Sequence, residues 1–167
     1  MIWDITCRTA NGFDINGFGQ LKDGRGNICP STIILPTLAM EAGRDVEKFM
    51  QLLEEKLEET KDGLIYRFEW ICSQNPASAK FMYENGVMAG YDGKDIRSAL
   101  KHGTLAGGML GMAETLQLLI GCDQTTDEGM SLAKRICKLY SDKCSEYKEK
   151  YKLNFGVYYT PKQSWEA

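Results

Sequence analysis

The chain has 167 residues, of which 43% are hydrophobic, enough for one domain with a sizeable core. A net charge of −3 without any long run of Lys or Arg argues against a nucleic-acid backbone binder, which carries a basic stripe, although a small anion can still sit on a helix N-terminus. No uninterrupted apolar stretch reaches the length of a membrane span, and Met1-Ile2-Trp3-Asp4 lacks the basic and apolar regions of a secretory signal.

The first segment, residues 7–29, is rich in glycine and reads as loop and turn. Ser31-Thr32-Ile33-Ile34-Leu35 follows as a short, buried, β-branched strand that Pro36 ends. From Asp45 to Lys61, Val46, Phe49, Leu53 and Leu57 recur at helical spacing, opposite a solvated acidic face. Gly63 is a point where this helix can break or pivot, and Leu64 to Ser73 continues as helix. Residues 85–94 form a second glycine-rich loop, and Asp95 to His102 reads as a short helix. Gly103 to Gly108 is either a strand with close backbone contacts or a glycine loop.

Met109 to Ile120 then reads as an apolar helix closed by Gly121. A long helix runs from Thr126 to about Lys150, with Thr125 and Glu128 at capping-box spacing. Met130, Ala133, Cys137, Tyr140, Cys144 and Tyr147 mark its inner stripe. Asn154-Phe155-Gly156-Val157-Tyr158-Tyr159 is a final strand stopped by Thr160-Pro161. Short strands between long helices define an α/β chain, and the few strands suggest part of a domain more than a closed sheet.

Conventional catalysis has little support in these residues. The six cysteines form no C-x-x-C pair, so no tetrahedral zinc site is expected, and without an export signal they read as reduced cytosolic thiols. His102 is the only histidine, and a lone histidine is more often structural than catalytic. Neither a nucleophile elbow nor a P-loop is present. Cys7 lies off any helical stripe, beside Arg8 and before a glycine-rich loop. It is either a reactive thiol or an inert loop cysteine.

A set of short motifs resembles the anaerobic, glycyl-radical ribonucleoside-triphosphate reductases in order and spacing. They are Cys7-Arg8-Thr9-Ala10-Asn11-Gly12, Asp23-Gly24-Arg25-Gly26-Asn27-Ile28, Thr32-Ile33-Ile34-Leu35-Pro36 and Met88-Ala89-Gly90-Tyr91-Asp92-Gly93. His102-Gly103-Thr104-Leu105-Ala106, Gly111-Met112-Ala113-Glu114-Thr115-Leu116 and Asn154-Phe155-Gly156-Val157-Tyr158-Tyr159-Thr160-Pro161 complete the series. Each is weak alone; in register along nearly the whole chain they are specific.

The resemblance implies a helix-rich partial barrel, a fragment of the family's ten-stranded α/β barrel. It divides residues 1–167 into a cysteine loop (1–30), strands and helices (31–161) and a divergent tail (162–167). It implies that Cys7 carries a thiyl radical, that Asn27 lies near the ribose hydroxyls, and that Gly103, Thr104, Tyr159 and Thr160 contact the substrate. The implied partners are a ribonucleoside triphosphate, the remainder of the subunit and a radical-SAM activating enzyme, in the cytoplasm, where deoxyribonucleotides are made for DNA replication. Self-association of an uncovered sheet edge is also expected.

The ends depart from the family pattern. Ile5-Thr6 precede Cys7 where the family has Met-Gly, and Lys162-Gln163-Ser164-Trp165-Glu166 replace Ala-Glu-Asn-Leu-Cys after Thr160-Pro161. The sequence holds no glycyl-radical segment and no four-cysteine zinc site. The expectation is therefore a fragment, split-gene piece or remnant with no cofactor of its own, inactive alone. The alternatives are a non-catalytic binding or assembly module on the same fold, and a piece of another glycyl-radical enzyme such as a lyase.

Overall fold

The computed structural model describes residues 11–159. Its centre is a parallel three-stranded sheet in the order β1-β2-β3, with β1 at Asn27–Ile34, β2 at Thr104–Leu110 and β3 at Asn154–Tyr159. Parallel neighbours need long crossovers. The first carries α1 (Leu35–Ala42), α2 (Val46–Cys72), a 3-10 turn at Pro76–Ala79, α3 (Lys80–Glu84) and α4 (Arg97–Leu100). The second carries α5 (Met112–Ile120) and α6 (Asp127–Tyr151).

Alternation along the strands separates two faces. Leu105 and Met109 of β2, Ile28 and Ile33 of β1, and Phe155 of β3 pack into the helical layer. Near the C-terminal ends of the strands, Leu35, Phe49, Leu53, Leu116, Ile136 and Tyr140 fill that layer. Phe68, Ile96, Leu100 and Tyr147 fill it near the N-terminal ends. Ile28 and Ile33 are an odd number of residues apart, yet both face the helices. A β-bulge between Ile28 and Ser31 makes this work, setting one extra residue against β2, with Cys29 in the left-handed region at φ 51°. Pro30 is tolerated in this segment because β1 pairs with β2 alone among the described strands.

The opposite face carries Thr104, Ala106 and Gly108. The register sets Asn27 and Asn154 beside Thr104, Gly156 beside Ala106, and Thr32 and Tyr158 beside Gly108. Gly108 is required by its neighbour. A Cβ there would stand 2.5 Å from the Tyr158 ring, which crosses β2 so that its hydroxyl meets the Thr32 hydroxyl of β1.

The structure corrects several sequence expectations. The first strand begins at Asn27, four residues before Ser31, and Leu35 belongs to α1, a helix the sequence reading did not anticipate. Pro36 ends the strand by opening that helix, where its missing N–H and fixed φ are harmless. Ile34 is 55% exposed, so the strand is not covered on both faces. Gly63 neither breaks nor pivots α2, because packing on both sides of it, at Leu57, Lys61 and Leu64, holds the helix through. Gly103–Gly108 is largely strand, and Met109 and Leu110 extend it, leaving Met112 to start α5. Asp95–His102 contracts to a single turn at Arg97–Leu100.

Helix α6 is capped by Thr126, not Thr125. The Thr126 hydroxyl accepts from the Gly129 N–H at 3.1 Å. Its inner stripe shares Ala133, Tyr140 and Tyr147 with the expected one but is otherwise rotated. Leu132 and Ile136 are buried, Met130 is 41% exposed, and Cys137 and Cys144 are only half-buried. The two cysteines line a groove of about 360 Å³ with Ser141, Ser145 and Lys148, against Phe155–Val157 of β3. Deeper along α6, the Tyr147 hydroxyl donates to Glu58 at 2.8 Å, and Lys61 and Lys143 reach the same carboxylate. Burial would raise the Glu58 pKa, but these donors outweigh it and hold the value down at about 2.

Two helical glycines make opposite predictions. Gly63 is exposed and a Cβ there would meet nothing within 4 Å, so Gly63→Ala should stabilise the protein by about 0.5–1 kcal/mol. At Gly129 a Cβ would fall 1.9 Å from the Asp123 carbonyl oxygen, so Gly129→Ala should cost about 1–3 kcal/mol. Urea unfolding of the two variants checks both signs.

Candidate functional site

The N-terminal ends of the three strands meet in a buried polar cluster. The loop of residues 11–25 folds onto the turns that start β2 and β3, and the contacts are made by side chains. Asp14, 1% exposed, is the hub. Its Oδ1 accepts from the Asn154 amide at 2.7 Å and from the Asn16 N–H at 2.9 Å. Its Oδ2 lies 2.7 Å from His102 Nδ1 and accepts from the Phe18 N–H at 3.0 Å. A carboxylate only accepts, so the hydrogen of that pair sits on Nδ1. Burial alone would raise the Asp14 pKa. The Asn154 and His102 hydrogen bonds and the two backbone donors outweigh it and hold the carboxyl well below the usual carboxylate range.

The partners are themselves anchored. Asn154, 1% exposed at the start of β3, accepts from the Ile15 N–H at 3.1 Å through its Oδ1. The Asn16 amide donates to the Lys101 carbonyl at 2.9 Å. The His102 ring stacks on Phe18 with centroids 3.7 Å apart. Gly90 packs against the edge of that stack, since a Cβ there would stand 2.9 Å from the imidazole. Arg25, 9% exposed, donates from Nε to the His102 carbonyl at 2.6 Å and from Nη1 to the carbonyls of Gly12 and Leu21. Its buried Nη2 has no hydrogen-bond partner among the described residues.

The residues named from sequence fall as follows. Asn27 opens β1 and pairs directly with Thr104, the first residue of β2. Thr104 is buried and its hydroxyl donates to the Asn11 side chain at 3.2 Å. Gly103 lies under Ile28, with no room for a Cβ: one would stand 2.4 Å from the Ile28 Cδ1 and 2.9 Å from the Gly26 carbonyl oxygen. Asn27, Gly103 and Thr104 therefore come together. Tyr159 sits at the other end of the sheet, its backbone in register with Met109. Cys7 and Thr160 lie outside the described residues. His102 is buried against Asp14, and neither that partner nor the anchoring Asn154 was singled out from sequence.

Among the described residues no three His, Cys, Asp or Glu side chains converge to hold a metal ion, and no helix is long and apolar enough to cross a membrane. Burial pushes the Cys72 and Cys144 thiols up to about 11, which leaves both protonated and poorly nucleophilic at neutral pH.

The fold, a parallel sheet with helices packed on one face, is shared with solved reductase structures. One, an anaerobic ribonucleotide reductase, is matched with a TM-score of 0.66 at 22% identity, over 80% of this chain and 21% of that one. Another, from Thermotoga maritima with dATP in its specificity site, is matched with a TM-score of 0.67 at 21% identity, over 89% of this chain and 24% of that one. These likenesses define the fold. The family model described as anaerobic ribonucleoside-triphosphate reductase matches residues 3–165, and the chain belongs to that family. The Escherichia coli (strain K12) anaerobic ribonucleoside-triphosphate reductase is 28% identical over 166 residues, 95% of this chain. The Salmonella typhimurium enzyme is 28% identical over the same share. The chain spans 23% of the length of each.

The Asp14 hub makes a pH-dependent prediction. Its pKa is depressed on folding, so its contribution is complete above the ordinary aspartate value near about 3.9 and is lost as pH falls toward the folded-state value. Asp14→Asn should cost about 1–3 kcal/mol at neutral pH, as expected when a hydrogen bond to a charged group is lost and a buried donor is left unsatisfied. The gap to the unsubstituted protein should narrow as pH falls below about 4. Urea unfolding at stepped pH checks this; two parallel stability curves would count against it.

Proposed function

We propose that these residues form a wedge of a ten-stranded reductase barrel that converts ribonucleoside triphosphates to deoxyribonucleotides by thiyl-radical chemistry. The observation that carries the reading is the family match along residues 3–165. The direct pairing of Asn27 with Thr104, beside Gly103, supports it by gathering polar and close-packed groups at one place on the sheet.

In this reading Cys7 is the radical-bearing cysteine. A glycyl radical elsewhere in the complete subunit takes the hydrogen atom of its thiol. The thiyl sulfur then abstracts the ribose 3′ hydrogen, the 2′ hydroxyl takes up a proton and leaves as water, and an external reductant supplies two electrons with the proton that completes the new 2′ C–H bond. The sulfur returns a hydrogen atom to the 3′ carbon. Sulfur suits the step because its bond to hydrogen is weak enough to be lost and re-formed in each cycle. Asn27 holds a ribose hydroxyl through its neutral amide, which can both donate and accept. Gly103 and Thr104 line the same approach, and Tyr159 with Thr160 opens the loop on which the phosphates rest.

The remainder of the subunit, a radical-SAM activating enzyme and a cytoplasmic setting complete the proposal. The strands β1 and β3 each pair only with β2 among the described residues, and their outer edges await further strands of the barrel or a second copy.

The experiment compares two proteins under anaerobic conditions with the activating enzyme present. The 167 residues alone should give no nucleotide reduction. A complete subunit carrying this sequence should reduce ribonucleoside triphosphates, and Cys7→Ser should abolish turnover while leaving nucleotide binding unchanged. Turnover by the Cys7→Ser subunit would overturn the assignment.

A further inference from the structure

The buried cluster joins three parts of the chain that are remote in sequence. Asp14 and His102 are 88 residues apart, and Asp14 and Asn154 are 140 apart. Their shared geometry fixes one thing: where residues 14–18 stand against the first residues of β2 and β3. Asp14 receives four hydrogen bonds within 3.0 Å, which saturates its carboxylate. Two of its donors belong to its own loop and two to the strand starts, so the carboxylate is the rivet between loop and sheet. Phe18 covers the imidazole from one side, and Asn16 adds a second tie to the Lys101 carbonyl.

We propose that Asp14, His102 and Asn154 are positioning residues that fasten the exit limb of the Cys7 loop to the sheet and so set the cysteine's approach to substrate. The proposal rests on the reading of Cys7 as the radical cysteine. Hydrogen abstraction is steeply sensitive to distance and alignment, so a shift of the reacting group costs rate without weakening substrate binding. Among the described residues, the charged and titratable groups facing the cluster are Asp14, His102 and Arg25, with the Lys148 ammonium near the Phe13 carbonyl at its rim. Asp14, already ionised and fully bonded, is unavailable for proton transfer, which leaves orientation as its role.

The test has two arms. In the 167-residue chain, amide hydrogen exchange over residues 13–19 should quicken about tenfold in His102→Ala and in Asp14→Asn, as when one charge-assisted hydrogen bond is lost from a locally opening loop. Amides of α2 and α6 that exchange by local opening, independent of global unfolding, should not change. His102→Asn, whose amide nitrogen can stand where Nδ1 stands, should restore protection. In a complete subunit carrying this sequence, His102→Ala should lower kcat about tenfold or more with KM for the nucleotide unchanged, and His102→Asn should recover most of it.

Loosened exchange with unaltered kcat overturns the proposal, as does a His102→Asn protein no better than His102→Ala. Exchange that quickens equally at the locally opening amides of α2 and α6, in both His102→Ala and Asp14→Asn, also overturns it, because the cluster is then merely part of the global fold. A complete subunit that reduces no nucleotide even without substitution removes the reading of Cys7 and with it this role. The exchange result would still report the fastening, so the two failures can be told apart.

Discussion

A single ionised carboxylate, buried and fully bonded, is the constraint on which this structure turns. A free carboxylate in that place would be expelled or protonated, because burying an unpaired charge is far more costly than any packing gain around it. Asp14 stays because four donors converge on it, and they converge only if the N-terminal loop, the start of β2 and the start of β3 adopt one arrangement. The sheet core could tolerate several loop placements; the carboxylate tolerates one. Its buried partner Asn154 is likewise satisfied on both its amide nitrogen and its oxygen.

The two ends of the sheet consequently differ in kind. At the strand starts, polar side chains determine the geometry, and Asn27, Gly103 and Thr104 lie within that ordered region. At the strand ends, apolar packing dominates: α1 begins directly after β1, Gly111 follows β2, and Ile34 and Leu110 are exposed. Exposed apolar residues at strand ends, and outer strand edges unpaired among the described residues, suit the barrel wedge proposed above. The family relationship and the 23% coverage of the relatives' length fit that description.

Much of the fold was legible in the sequence because it is local. The helical spacing of Phe49, Leu53 and Leu57, and the β-branched run at Ile33-Ile34, each point to one conformation. The bulge was not legible, since it depends on matching Ile28 and Ile33 to Leu105 and Met109 across a parallel pair. Nor was α1: Pro36 reads equally as a strand stop and as a helix start. In α6 the expected stripe is buried at Ala133, Tyr140 and Tyr147, but Leu132 and Ile136 fill the core where Met130 and the half-buried Cys137 and Cys144 were expected.

The candidate site was legible only through motifs in register. Cys7, Asn27, Gly103 and Thr104 were reached by resemblance, and no spacing rule links them. Asp14 carried no signal at all, because its partners are 88 and 140 residues away and an aspartate in a glycine-rich loop ordinarily marks a turn. His102 is the only histidine of the chain, which makes the central interaction directly measurable. A proton-to-nitrogen correlation spectrum of the imidazole at neutral pH should show Nδ1 bearing a strongly hydrogen-bonded proton that exchanges slowly with water. An unprotonated Nδ1, or a rapidly exchanging one, would contradict the account.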